Sequence, residues 1–228
     1  MAITLGSLVF DATHTTAREK LEEVGGRDER GIEISGLVLG ESSAADIEAR
    51  LDAILDAASS EDYGAELSLR AGRRLWVRRE GYSREVNPES LVGSFTLKLG
   101  AKYACEEAVE PTLASWSISE SGATKALTAG GNLFARPTIS LEATGAIVNP
   151  SFGDGTRTLV YSGTVADGSV LVSDASEGCV TLDGEDVTPY TEGVFPRISP
   201  EGTTLTYTDD AASSHTAAVE VSFRSRWW

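Results

Sequence analysis

The strongest helical period in the chain is SAADIEARLDAILDAASS, residues 43–60, and the segments around it alternate with period two instead. Ser43 is placed to cap, Asp46 follows three residues on, and Ile47, Leu51, Ile54 and Leu55 form one apolar stripe opposite Glu48, Asp52 and Asp56. Before it, residues 2–10, AITLGSLVF, read as a strand. TTAREKLEEVGG reads either as a short helix, with a capping box from Thr16 to Glu19 and a stop at Gly25-Gly26, or as a charged loop. GIEISGLVLG alternates, with Ile32, Ile34 and Val38 on one side and Leu37 and Leu39 on the other, so it is expected to be covered on both faces near its end. After it, AELSLR, RRLWVRRE and LVGSFTLKLG keep period two, the last placing Leu91, Phe95, Leu97 and Leu99 on one face. The first half is therefore expected to be a β-sheet with one packed helix.

Beyond about residue 108 helical periodicity disappears, and glycine, serine and threonine punctuate short strands: RPTISLEA, RTLVYSG, GSVLVSD, GCVTLDG, TTLTYTDD and AAVEVSFRSRWW. Regular turn signals at Gly153-Asp154-Gly155, Asp167-Gly168 and Asp183-Gly184 predict a β-sandwich. One turn is conspicuously acidic, with Asp183, Glu185 and Asp186 inside VTLDGEDVTPY. An EF-hand loop begun at Asp183 fails, because its sixth residue is Thr188 rather than glycine and its twelfth is Val194 rather than glutamate. Three acids crowded round one turn also lack the separation of a glycosidase pair. Asp-Gly tolerates positive φ, so the cluster reads as hairpin chemistry.

With 228 residues the chain is long enough for two domains, and the change of texture sets them at 1–107 and 108–228; the fold class expected is mainly β. Nineteen Lys and Arg stand against 35 Asp and Glu, a net charge of −16 that opposes tight binding to DNA or anionic lipid, although DNA can slide past an acidic wall. Cys105 and Cys179 lack zinc-site spacing and imply reduced thiols. Without a basic leader or an apolar run near the ~20 residues of a membrane span, a soluble protein made inside a cell is expected.

Arg70, Arg73, Arg74, Arg78, Arg79 and Arg84 form a basic cluster around Trp76. It reads either as a nucleic-acid surface or as a set of partners for acidic faces, and the overall field favours pairing. His14 and His215 lie in polar loop settings with no nucleophile elbow, so exposed histidines are expected and no catalytic, cofactor or metal residues are assigned. Counting in twos from Val219 puts Trp227 on the apolar face of the last strand and Trp228 on its polar face, near a neighbouring domain or subunit.

Taken together, the halves resemble the distal tail proteins of long-tailed (siphovirus-type) phages. ERGIEISGLVLGESSAADIEARLDAILDA, GRRLWVRRE and SFTLKLGAKYA resemble the tail-tube-like ring domain. AIVNPSFGDGTRTLVYSG, VTLDGEDVT, GVFPRISPEGTTLTY and VEVSFRSRWW resemble the galectin-like domain that follows it. The resemblance implies a structural, non-enzymatic virion protein at the tail tip, assembled in the host cytoplasm. It implies a homo-oligomer, a hexameric ring joining a tail tube protein to a tail hub protein, with DNA passing through the lumen without specific binding, no membrane insertion and receptor-binding proteins as further partners. No galectin-type sugar constellation is visible in residues 136–228. The competing reading is a carbohydrate-binding adhesin that grips host glycan through Tyr161, Tyr190 or Tyr207; an acid-pair hydrolase is a third.

Overall fold

The structure, a computed structural model, describes residues 2–24, 27–58 and 62–228. It divides into two compact units, Met1–Val109 together with Trp228, and Glu110–Trp227. Each unit holds its own hydrophobic core. The described part of the chain is mainly β, as the alternating patterns predict, and its helix is the one read from the sequence.

In the first unit the strands are β1 (Thr4–Leu5), β2 (Leu8–Val9), β3 (Thr15–Val24), β4 (Arg27–Val38), β5 (Ala65–Ser68), β6 (Arg73–Asn87), β7 (Val92–Ala101) and β8 (Glu106–Ala108), with helix α1 (Ala44–Ala57) between β4 and β5. The main sheet runs β2-β1-β5-β6-β7-β4-β3, all antiparallel, and β8 pairs with the start of β6. The terminal strands β2 and β3 lie only a short loop apart in sequence, so the sheet must curl to bring its two ends together. The Phe10 and Phe95 rings stack at 5.8 Å where the chain passes from one end to the other, and the Leu37 N–H to His14 carbonyl bond at 3.0 Å extends the β3–β4 ladder there.

Helix α1 fills the curl. Ser43 caps it by accepting from Asp46 N–H at 3.2 Å, while Asp46 accepts from both Ser42 and Ser43 hydroxyls at 2.7 Å, so the first turn is fixed by local donors. Ile47, Leu51 and Ile54 are buried against Leu97, Leu99, Ile32 and Ile34. Gly93 makes the approach possible: a Cβ there would lie 2.5 Å from an Ile47 methyl. At the far end the Leu51 carbonyl accepts from the Tyr82 hydroxyl at 2.8 Å, and the Leu55 carbonyl accepts from the Arg79 guanidinium at 3.3 Å. A cation at a helix C-terminus is favourable twice, as a donor and against the dipole.

Three sequence expectations change here. Residues 2–10 are two short strands, not one, because Gly6 turns the chain at φ +57°. TTAREKLEEV is the strand β3, with neither the helix nor the loop that its charges permit; pairing with β4 over its full length outweighs a marginal local capping signal. Leu37 and Leu39 are exposed, so GIEISGLVLG is covered on one face and not on both. The expected stop at Gly25-Gly26 lies outside the described residues.

The second unit is a sandwich. One sheet, in the order β18-β17-β16-β11-β21-β9, contains β9 (Thr112–Ile118), β11 (Thr138–Ala143), β16 (Val170–Asp174), β17 (Cys179–Leu182), β18 (Glu185–Asp186) and β21 (Ala217–Phe223). The other, in the order β10-β20-β13-β14-β19, contains β10 (Thr124–Leu127), β13 (Ser151–Gly153), β14 (Thr158–Tyr161), β19 (Thr191–Gly193) and β20 (Thr203–Thr208). A small pair, β12 (Ile147–Val148) with β15 (Thr164–Val165), and β22 (Arg226–Trp227) complete the unit. Side chains from both sheets share one core: Ile139, Leu141, Leu171, Val219 and Val221 from the first meet Phe152, Leu159, Leu205 and Tyr207 from the second. The ring of Trp116 meets Phe152 edge-on across this layer at 6.4 Å.

The C-terminal count in twos does not hold, because the ladder stops at Phe223 and β22 begins only at Arg226. The Arg226 carbonyl accepts from Asn132 and Leu133 N–H at 3.1 and 3.2 Å, and the Trp227 ring covers Gly131, where a Cβ would approach it to 3.1 Å. Trp227 is half-buried and Trp228 exposed. Cys105 is buried and Cys179 half-buried, and both are thiols. Among the described residues no helix is long and apolar enough to cross a membrane.

Candidate assembly surfaces

Strands β3 and β4 outgrow the sheet they belong to. They pair with each other from Thr15–Gly36 out to Val24–Arg27, yet β7 accompanies β4 only over Gly31–Val38. Residues 21–24 and 27–30 therefore form a two-stranded arm, with no third strand among the described residues. Leu21 on this arm is 52% exposed, and Glu22, Glu23, Asp28 and Glu29 are exposed around it. Along its whole length β3 pairs on one side only, so its other edge presents backbone donors and acceptors to a further strand.

The arm is anchored by a buried ionic network. Arg30, 3% exposed, pairs with Glu19 and donates to the Ala104 carbonyl at 3.2 Å; Glu106, 1% exposed, accepts from Arg70 at 2.6 Å and from Arg73 at 3.3 Å. Arg70 also reaches Glu19 at 2.9 Å. Burial alone would raise the Glu19 pKa, but the hydrogen bonds from Arg30 and Arg70 outweigh it and hold the carboxyl below its ordinary value. One network thus ties β3, β4, the turn before β6, and β8 together.

The arginine cluster is accounted for by these and similar pairings. Arg70 and Arg73 serve the network, Arg74 pairs with Glu66 at 3.1 Å and lies over Trp76, Arg78 lies over Tyr63, Arg79 caps α1, and Arg84 pairs with Asp52. The pairing reading is borne out.

A groove of about 240 Å³ opens at the sheet closure, with Val9, Leu37 and Leu39 exposed on its rim and Phe10, Ile54 and Phe95 in its wall. The face of the sheet away from α1 carries small polar side chains, Ser35, Ser83, Ser94 and Thr96, with Arg18, Lys20 and Lys98 beside Glu33 and Glu85. That face is mixed in charge. Acidic side chains cluster elsewhere, on the arm and the outer side of α1.

In the second unit the acidic turn is a hairpin. Asp183 and Gly184 both take positive φ, 52° and 88°, and Leu182 pairs with Glu185. The acids diverge: Asp183 accepts from Val170 N–H at 2.8 Å and Asp186 from Thr188 N–H at 2.9 Å. These bonds hold both carboxyls below the ordinary range. Tyr161 and Tyr207 are core residues, 9% and 0% exposed, which leaves Tyr190 of the three aromatics proposed for glycan. The His215 Nδ1 lies 2.8 Å from a carboxylate oxygen of fully buried Asp209, which also accepts from the Tyr207 hydroxyl at 2.7 Å. His215 is thus a half-buried structural partner and not an exposed loop residue, while His14 is exposed and bonded to Asp11 at 2.6 Å. Burial and the Asp209 carboxylate push the Tyr207 hydroxyl up. Nothing in the spacing of these residues foretold the cluster, since the loop that joins them has no periodic pattern.

Asp154 organises the turn between β13 and β14, accepting from Thr156 and Arg157 N–H at 2.9 and 2.7 Å and from Arg197 N–H at 2.9 Å. Burial opposes ionisation, yet these donors lower its pKa from 3.8 to about 2.

Comparison with known proteins places this geometry. Residues 130–227 match the family model of the siphovirus-type tail component, C-terminal domain. Over 100% of this chain and 99% of the other, the fold is similar to that of the Dit protein of phage SPP1, whose crystal structure is described as a paradigm of the hub adsorption apparatus of phages infecting Gram-positive bacteria, with a TM-score of 0.72 at 12% identity. No curated protein sequence matches the chain. The resemblance read from the sequence is borne out: residues 130–227 match the model of the siphovirus-type tail component C-terminal domain, and the chain as a whole shares its fold with the SPP1 Dit protein.

Proposed function

We propose that the protein is a structural, non-enzymatic distal tail component whose first unit closes a homo-oligomeric ring, a hexamer, at the tail tip. The observation that carries this is β3: a ten-residue strand without proline, paired on one side only, in a unit whose exposed Val9, Leu37 and Leu39 sit at the sheet closure. A long open edge on a monomer invites pairing with another chain, and repeated head-to-tail contact closes a ring when the rotation allows it. The ring joins a tail tube protein above to a hub protein below. The net charge of −16 lets DNA pass without being held. The second unit is the natural support for receptor-binding proteins.

Native mass spectrometry of the full chain and of residues 1–109 and 110–228 tests this. The full chain and the first unit are expected to assemble, and the second to remain monomeric. A ring formed by the second unit with a monomeric first unit would reverse the assignment. The adhesin reading is not favoured, because two of its three aromatics are in the core.

A further inference from the structure

Four of the second unit's basic residues, Arg136, Arg157, Arg197 and Arg226, converge on one surface of a unit that is otherwise acidic. The topology brings them there. Ala135 and Ile198 exchange both backbone hydrogen bonds, at 2.8 and 3.0 Å, which sets Arg136 directly across from Arg197. Asp154 ties Arg157 to Arg197 through their backbones, and the Arg226 carbonyl is bonded to residues 132 and 133 of the same segment that carries Arg136.

The charge of this patch is poorly compensated. Asp154 is engaged by backbone donors and lies 3.6 Å from the Arg157 guanidinium; among the described residues neither Arg136 nor Arg197 has an ion-pair partner. Burial, together with repulsion from Arg157, Arg136 and Arg226, lowers the Arg197 pKa. In the first unit, by contrast, the clustered arginines are matched by acids, aromatic rings or the end of α1. Two exposed apolar side chains border the patch: Phe134, 49% exposed and two residues from Arg136, and Val194, 55% exposed and bonded through its N–H to Thr158 beside Arg157. Arginine with an exposed aromatic is the composition of a protein interface more than of a site for a bare anion.

The same chain carries the complementary shape. The β3–β4 arm carries exposed Leu21 at its base, with Glu22, Glu23, Asp28 and Glu29 exposed beyond it, and a lone two-stranded ribbon is marginal in water until something covers it. We propose that the arm of one copy docks on the Arg136, Arg157 and Arg197 patch of the next, with Leu21 against Phe134 and Val194. This rests on the oligomeric reading above and adds to it a specific contact: acids against guanidinium groups at the rim, apolar side chains at the centre. Six copies at −16 each repel one another, and this pairing places opposite charges where two copies meet.

Charge reversal on the full-length protein tests it, read by native mass spectrometry and sedimentation against wild type, with thermal melting to confirm that each variant is folded. R136E/R197E alone and E22K/E23K/E29K alone are each expected to weaken self-association at least tenfold. An equimolar mixture of the two is expected to recover it as alternating assemblies, because each variant's patch then meets the other's arm with opposite charge. Recovery only at high salt, or none, would overturn the contact. If R136E/R197E assembles as wild type does, the contact is wrong while the ring reading stands; if wild type remains monomeric at every concentration, both fall. Inorganic polyphosphate is the control for a different occupant. Retention abolished by R136E/R197E with assembly untouched would make the patch an anion site and overturn the inference.

Discussion

The two units bury apolar surface in opposite ways. In the second, two sheets cover each other, so Leu141, Tyr207, Val221 and Ile198 are sealed by residues of the same unit. In the first, one helix covers one face of a curled sheet, leaving an open strand edge, an uncovered polar face and a groove with both apolar and polar walls. A sandwich can be complete as a monomer; a sheet with a free ten-residue edge is complete only when something pairs with it. Charge is divided along the same line. Four of the first unit's clustered arginines pair with its own acids, whereas Arg136 and Arg197 of the second have no ion-pair partner among the described residues.

The largest expected effect that would break this comparison is Glu106→Ala. It removes the acid between Arg70, Arg73 and buried Arg30, and stripping one partner from a buried network costs about 3 to 5 kcal/mol. Hydrogen exchange should show the loss in β3, β4 and β8, with the strands of the sandwich protected as before. Equal loss in both units would mean that they do not fold independently.

Acid titration sharpens the contrast at a smaller scale. Asp154 has a folded pKa of about 2, below its ordinary 3.8, so its contribution is full above about pH 4 and is lost as pH falls through 2. The shift corresponds to on the order of 2 kcal/mol, and Asp154→Asn should flatten the acid limb of the second unit's stability curve between those values. A curve unchanged by the substitution would show that the turn's backbone donors do not depend on its charge. Smallest of all, Asp183→Asn with Asp186→Asn should leave the melting temperature unchanged, since asparagine keeps an acceptor oxygen at each position and tolerates positive φ. Loss of folding restored by calcium would instead mark a metal site.

Helix α1, its cap at Ser43 and the hairpin at Asp183-Gly184 are legible in the sequence, because each depends on residues close together along the chain: a repeating apolar stripe, a hydroxyl beside a free N–H, a dipeptide that tolerates positive φ. The alternation of GIEISGLVLG marks Ile32, Ile34 and Val38 as buried for the same reason, and they are. Strand β3 is not legible in this way. TTAREKLEEV has a local signal for a helix, and only its pairing with ten residues of β4 decides that it is extended. The roles of Glu106, Asp209 and Arg197 are equally hidden: Glu106 meets Arg70 across 36 positions, and Arg197 is bonded to Asp154 across 43. Local sequence sets which backbone conformations are cheap, whereas the partners of a buried charge and the strand edge left open depend on which distant segments the fold brings side by side.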